Sequence, residues 1–203
     1  VIDLLPQVSG EVTYVSSKFV AGGRFEKGEV IIKIDPRDYD LAVITAEASI
    51  AERKQRVMQE DAEAALAATE WAELGQGEAS DLTLRKPQRE GALAALKSAE
   101  ANLQKAFLDL ERTEIRAPFA GILTEKNVDL GQFLNRGNKI GKYYSTETLE
   151  VRLPLTNRDI AQFDLAGLQT GKKQYAVRLK GQFANKENSW DARLVRTEGI
   201  IDV

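Results

Sequence analysis

The chain contains no cysteine and no histidine in its 203 residues. That inventory removes disulfide staples, zinc sites built from Cys and His, and nucleophilic catalysis through a Ser–His or Cys–His pair. It leaves the compartment open, because a chain without cysteine suits the cytosol and an exported protein equally well. No stretch of eighteen apolar residues occurs, so no membrane-spanning helix is predicted, and no signal-peptide pattern stands at the start. There is also no positive excess: 28 Lys and Arg stand against 31 Asp and Glu, a net charge of −3. Without surplus cations to neutralise phosphates, nucleic acid is not an expected partner. A phosphate-cradling loop is missing too, because Gly22-Gly23 to Gly28 opens a strand where strand–loop–helix order would be needed. Carboxylate pairs exist, Asp38 with Asp40 and Glu60 with Asp61, but they lie on or beside an exposed helix, where charge serves solvation. No enzyme, catalytic residue, metal site or cofactor is expected.

What the chain does have is length. From Asp38 to Thr113 it is rich in Ala, Glu, Gln, Lys and Leu, and it reads as two long helices around one break. Val43, Ile50, Val57, Ala64 and Trp71 recur every seventh residue on the first. On the second, Leu96, Leu103 and Leu110 do the same, with Ala92, Ala99 and Ala106 beside them. A seven-residue repeat keeps one seam turned toward a partner helix, which predicts an antiparallel coiled-coil hairpin. Arg53 and Glu60 fall on the seam row held elsewhere by Ala46, Ala67 and Leu74, and are read as polar residues that fix register. The turn is expected at about 75–80, where Gly75 and Gly77 stop one helix and Ser80 caps the next. Pro87 and Gly91 predict a kink or a late, poorly formed first turn of the second helix.

The flanks have a different texture. Val8–Val15 and Val30–Ile34 read as strands, as does Ile115–Leu123 after the helices. Gly10-x-Val12 echoes Gly121-x-Leu123, and Gly131 to Gly137 matches Gly23 to Gly28 with one extra residue between the glycines. An internal repeat is thus split by the helical insertion, and two β units this small must close on each other. From about Thr148, alternation returns in Leu149–Leu153, Tyr175–Leu179 and Ala192–Arg196, with Asn157–Phe163 as a short capped helix. This predicts a second, antiparallel β body, a small barrel that looks incomplete. The chain begins at Val1 and ends in what looks like mid-strand, so it is read as a piece of a longer protein.

These features together resemble the periplasmic adaptor or membrane fusion proteins, the HlyD, AcrA and MexA family. The residues carrying the match are Val8-Ser9-Gly10-Glu11-Val12, Gly23-x-Phe25-x-Lys27-Gly28-Glu29-Val30-Ile31 and Ile34-Asp35-Pro36-x-Asp38-Tyr39. After the helices the match resumes in Thr113-x-Ile115-Arg116-Ala117-Pro118-Phe119-Ala120-Gly121. Leu153-Pro154-Leu155 with Asp159-Ile160, and Trp190 with Val195–Asp202, look like the barrel of the subgroup that serves RND-type transporters.

The resemblance implies an α+β fold: a split lipoyl-like β-sandwich with an inserted antiparallel coiled-coil hairpin, followed by a small, incomplete β-barrel. The corresponding domains are 6–37 plus 114–147 (lipoyl-like), 38–113 (hairpin) and 1–5 plus 148–203 (partial barrel). It implies an adaptor in the periplasm, held to the inner membrane by a segment outside this chain. Such an adaptor bridges an inner-membrane RND transporter and a TolC-like outer-membrane channel as a trimer or hexamer, for small-molecule export. Docking falls to the hairpin tip, here Leu74, Gln76, Gly77, Ser80 and Asp81. The family's tip pattern of Arg, Leu and Ser is only partly kept. With Ser80 in place, Thr69 and Glu73 fill the other two positions; with Leu74 in place, Glu70 and Asp81 do. Two alternatives stay open, an adaptor for an ABC-type exporter or type I secretion, and a biotin or lipoate carrier. The carrier needs a modifiable lysine at the turn joining the halves, and the hairpin enters there instead. Lys27 and Lys33 are read as plain solvated lysines.

Overall fold

Alternating β-branched residues before and after the helical stretch form the two halves of one sandwich. The computed structural model describes residues 1–75, 77–147, 150–154, 175–183 and 186–196. In chain order, β1 (Ile2–Leu4), β2 (Gly10–Val15), β3 (Arg24–Phe25) and β4 (Val30–Ile34) lead into α1 (Arg37–Leu74) and α2 (Lys86–Glu111). Then follow β5 (Glu114–Arg116), β6 (Gly121–Lys126), β7 (Phe133–Leu134), β8 (Gly141–Ser145), β9 (Tyr175–Phe183) and β10 (Lys186–Leu194).

One sheet has the order β1-β8-β6-β3 and the other β5-β4-β2-β7. Each half of the chain therefore contributes to both sheets, and each position in one has a counterpart in the other. The counterpart strands are held alike. Gly22 N–H donates to the Leu123 carbonyl at 2.8 Å, and Gly131 N–H donates to the Val12 carbonyl at 2.8 Å. Gly28 N–H reaches the Ala117 carbonyl at 2.8 Å, and Gly137 N–H reaches the Pro6 carbonyl at 3.0 Å. Inside lies a core of Val12, Phe25, Ile31, Ile32, Leu123, Leu134, Ile140 and Tyr143.

This near-symmetry corrects two expectations. The repeat carries no extra residue: its true start is Gly22 (φ 87°), matching Gly131 (φ 78°), and Gly28 (φ 83°) matches Gly137 (φ 84°). The left-handed backbone at the two starting glycines, not the spacing of Gly23, defines the turn. Residues 1–5 likewise do not go to the second β body, because Ile2–Leu4 pairs with Gly141–Ser145. There β1 stands to β8 as β5 stands to β4. Leu4 is buried in the shared core, which is why a segment before the first glycine turn belongs to the sandwich.

The helices leave and re-enter by adjacent doors. β4 and β5 are hydrogen-bonded neighbours, with Val30 opposite Arg116 and Lys33 opposite Glu114. α1 runs for 38 residues, about 55 Å at 1.5 Å per residue, and α2 for 26. Val43, Ala92 and Ala99 are buried between them, as the sevenfold seam predicts. α2 starts at Lys86 and not after Ser80, with Pro87 in its first turn, where the missing N–H costs no hydrogen bond. Of the two polar seam residues, Glu60 is buried and Arg53 exposed.

Residues 150–203 make a separate unit. Its described residues show an antiparallel hairpin, β9 with β10, paired from Lys186 opposite Phe183 to Leu194 opposite Tyr175. This is the part of the incomplete barrel that is described. Glu150–Pro154 is not in a strand, although alternation predicts one. The expected helix at 157–163 lies outside the described residues.

Candidate functional site

The hairpin tip is the place where this fold presents residues far from its core. α1 ends as Gly75 N–H donates back to the Trp71 carbonyl at 2.8 Å. A Cβ at Gly75 would lie 2.6 Å from the Trp71 ring, so only glycine lets the chain turn across that indole. Trp71 Nε1 donates in turn to the Gly77 carbonyl at 3.4 Å, and Gly77 is left-handed at φ 84°. The indole thereby serves as the floor of the turn.

Ser80 does cap, but not α2. Its Oγ accepts the Thr83 N–H at 3.1 Å, and its carbonyl accepts the Leu84 N–H at 3.0 Å. That is a capped helical turn over 80–84. It closes with Lys86 N–H on the Asp81 carbonyl at 2.9 Å and Arg85 N–H on the Leu82 carbonyl at 3.1 Å. This pair of bonds around one left-handed residue is a Schellman closure. The left-handed residue is Arg85, φ 56°, the one non-glycine with positive φ among the described residues.

Arg85 is held from below. Its guanidinium contacts Glu60 at 2.8 Å and also pairs with Glu63. The Glu60 side chain is only 2% exposed and takes a second ion pair from Arg56 at 2.5 Å. Arg89 and Asp61 pair beside it at 2.5 Å. Hydrogen bonding to Glu60 holds the Arg85 guanidinium above its usual pKa, so it is charged at every working pH. Nothing in the heptad pattern marks Arg85, because its partners lie on the other helix. The buried acid on the seam was the available signal.

Of the expected docking residues, Leu74 closes α1 and is 85% exposed. Ser80 and Asp81 sit in the capped turn, with Asp81 Oδ1 accepting from Lys86 Nζ at 2.7 Å. Gly77 is the floor acceptor described above, and Gln76 lies outside the described residues. Leu74 and Asp81 are thus in different arms of the turn. Sequence reasoning missed Leu82, which is 69% exposed in the turn and gives the second arm its apolar side chain.

At the other end the hairpin is seated firmly. Tyr39 Oη donates to the Ser9 carbonyl at 2.6 Å, and Ser9 Oγ accepts the Arg136 N–H at 3.0 Å. Ile34 N–H donates to the carbonyl of buried Thr113 at 2.8 Å. Lys33 lies in β4 and pairs with Glu114 at 2.6 Å, so it is a strand lysine engaged across the entry to the helices and not one displayed on a turn. Lys27 stays in the exposed turn that ends at Gly28. Among the described residues, no three potential metal ligands converge, and no helix is long and apolar enough to cross a membrane.

Comparison with known proteins agrees with this architecture. The family model described as "RND MFP, barrel-sandwich hybrid domain" matches residues 1–142. Multidrug resistance protein MdtA of Erwinia amylovora is 26% identical over 209 aligned residues, covering 98% of this chain and 50% of the relative. The chain thus spans about half the length of that relative. Among solved structures, a putative efflux transporter from Bacteroides eggerthii superposes with a TM-score of 0.56 at 22% identity, over 72% of this chain and 40% of its own. A MacA–MexA chimera carrying the Pseudomonas aeruginosa MexA α-hairpin domain gives 0.52 at 24%, over 71% and 47%. The membrane fusion protein Spr0693 of Streptococcus pneumoniae gives 0.54 at 17%, over 91% and 74%. These structural likenesses concern the fold alone. With a split sandwich, an inserted hairpin and a family model spanning most of its length, the chain belongs to the membrane fusion proteins of the RND type.

Proposed function

We propose that this chain is part of a periplasmic adaptor subunit in a tripartite RND-type efflux pump. It joins an inner-membrane transporter to a TolC-like outer-membrane channel and exports small molecules, without enzymatic chemistry of its own. The supporting observation is the 38-residue rod and its shorter partner leaving one adjacent pair of strands. Helices that long keep most of their surface wet, an arrangement that serves spanning a gap or pairing with other helices. The sandwich end faces the transporter, and the tip around Leu74, Gln76, Gly77, Ser80 and Asp81 meets the channel. Several copies, as a trimer or hexamer, surround the conduit, and a segment outside these 203 residues tethers each to the inner membrane.

Site-specific photo-cross-linking in cells from Gln76 and Ser80 tests the orientation. Adducts with an outer-membrane channel are expected. Adducts only with inner-membrane proteins would reverse the polarity of the assembly.

A further inference from the structure

Schellman closures favour glycine at their left-handed position, because a Cβ there crowds the backbone. Here the position holds Arg85, on the far side of the tip from the two glycines of the α1 turn. The side chain supplies the reason. Its guanidinium is drawn toward Glu60, a carboxylate buried in the seam, and toward Glu63 one turn further along α1. On either side of Arg85 the backbone is already helical. The capped turn begins at Ser80, and α2 begins at Lys86 with Arg89 N–H on the Arg85 carbonyl at 3.1 Å. A single residue separates two helical pieces.

We propose that Arg85 is a latch. Held left-handed by Glu60, it keeps the Ser80–Leu84 turn apart from α2, and its release joins the two into one helix that re-aims the tip. The joined helix is allowed by the chain. Ser80 is a competent cap where it stands, and the segment Asp81-Leu82-Thr83-Leu84 has no glycine or proline. Pro87 lacks the N–H that would meet the Thr83 carbonyl, so the joined helix bends there instead of breaking at residue 85. The tip therefore has two shapes, one broken at Arg85 and one bent at Pro87. Leu82 and Asp81 point differently in each. The latch is a property of this chain alone and does not depend on the proposed partners.

The test uses nuclear magnetic resonance of the whole chain. The three-bond coupling between amide proton and Hα at residue 85 is larger for left-handed than for helical φ. Arg85→Gly is expected to keep the break, since glycine is at ease left-handed without the ion pair. Arg85→Ala and Glu60→Gln are expected to move residue 85 to the helical coupling, with Leu82 resonances shifting. Slow amide exchange at Ala92 and Ala99 reports that the seam is intact. Should Glu60→Gln unfold the hairpin, Arg85→Ala carries the test, because Glu60 then keeps Arg56. A left-handed coupling retained in Arg85→Ala with the seam intact overturns the proposal.

Discussion

Tyr143 lies stacked on Phe119, ring centroids 5.2 Å apart, and donates its hydroxyl to the Phe119 carbonyl at 2.9 Å. The same hydroxyl lies 3.3 Å from the Phe25 carbonyl, so one phenol joins both halves of the split sandwich. Removing it leaves the ring packing in place and the carbonyls without their donor. Tyr143→Phe is expected to lower unfolding free energy by about 1–3 kcal/mol, the range for a lost partner of a buried acceptor. Urea midpoints check this, and a variant as stable as the parent refutes it. Burial also pushes the Tyr143 phenol up from its ordinary value. A raised value contributes stability that is complete below the unfolded pKa of about 10 and is lost as pH climbs through the folded one. The alkaline loss should shrink in Tyr143→Phe.

Gly10 and Gly121 occupy corresponding places in the repeat, and substitution should cost both, for different reasons. A Cβ at Gly121 would stand 2.3 Å from the Tyr144 carbonyl oxygen, part of a backbone paired in a sheet. A Cβ at Gly10 would meet Ile34 Cγ2 at 2.5 Å, a side-chain methyl that can shift, but Gly10 also holds φ at 155°, where an L side chain is strained. Gly121→Ala and Gly10→Ala are each expected to destabilise, on a scale of about 1–3 kcal/mol, the first by overpacking and the second by backbone strain. Thermal melts of the two variants check this, and a variant as stable as the parent refutes the account of its site.

Acid should loosen the base of the hairpin. Lys105 first, and Arg112 after it, hold the Asp109 carboxyl below its usual range, against the opposing effect of burial. Lys33 and Arg116 do the same for Glu114. Lowered carboxylate values contribute stability that is present above the unfolded pKa, about 4, and is lost as pH falls through the folded value. Denaturant midpoints should fall as pH drops below about 4.5, and less steeply in Asp109→Asn and Glu114→Gln. An acid limb of identical slope in both variants would remove these pairs from the account.

Leu74 and Leu82 should separate folding from association. Both side chains are exposed at the tip, so Leu74→Ser and Leu82→Ser are expected to shift stability by no more than about 0.5 kcal/mol. If the tip docks a channel through apolar contact, export in cells should fall in both while the melting temperature holds. Unchanged export in the double variant would move the docking surface elsewhere.

Much of the architecture was legible because it rests on periods. The sevenfold seam announces the helix pair, and alternation announces β2 and β4. Leu149–Leu153 alternates equally well, yet Glu150–Pro154 is not in a strand, since alternation reports a possible face and not a neighbour that uses it. Residues 2–4 are illegible for a related reason: three residues carry no period, and their place depends on β8, far along the chain. At the tip, Ser80 reads correctly as a cap, but the helix it caps lasts one turn. What stops it is a contact between Arg85 and Glu60, twenty-five positions away, which local propensity does not encode.

Because β4 and β5 pair side by side at the exit and return, the sandwich closes with no more from the rods than their first turn, where Tyr39 meets Ser9. Arm length is therefore free to vary while the body stays the same. Inserting seven residues in each rod would extend the reach by about 10 Å and preserve the seam. One body could in this way be matched to gaps of different width by whole heptads, with no redesign at its seat.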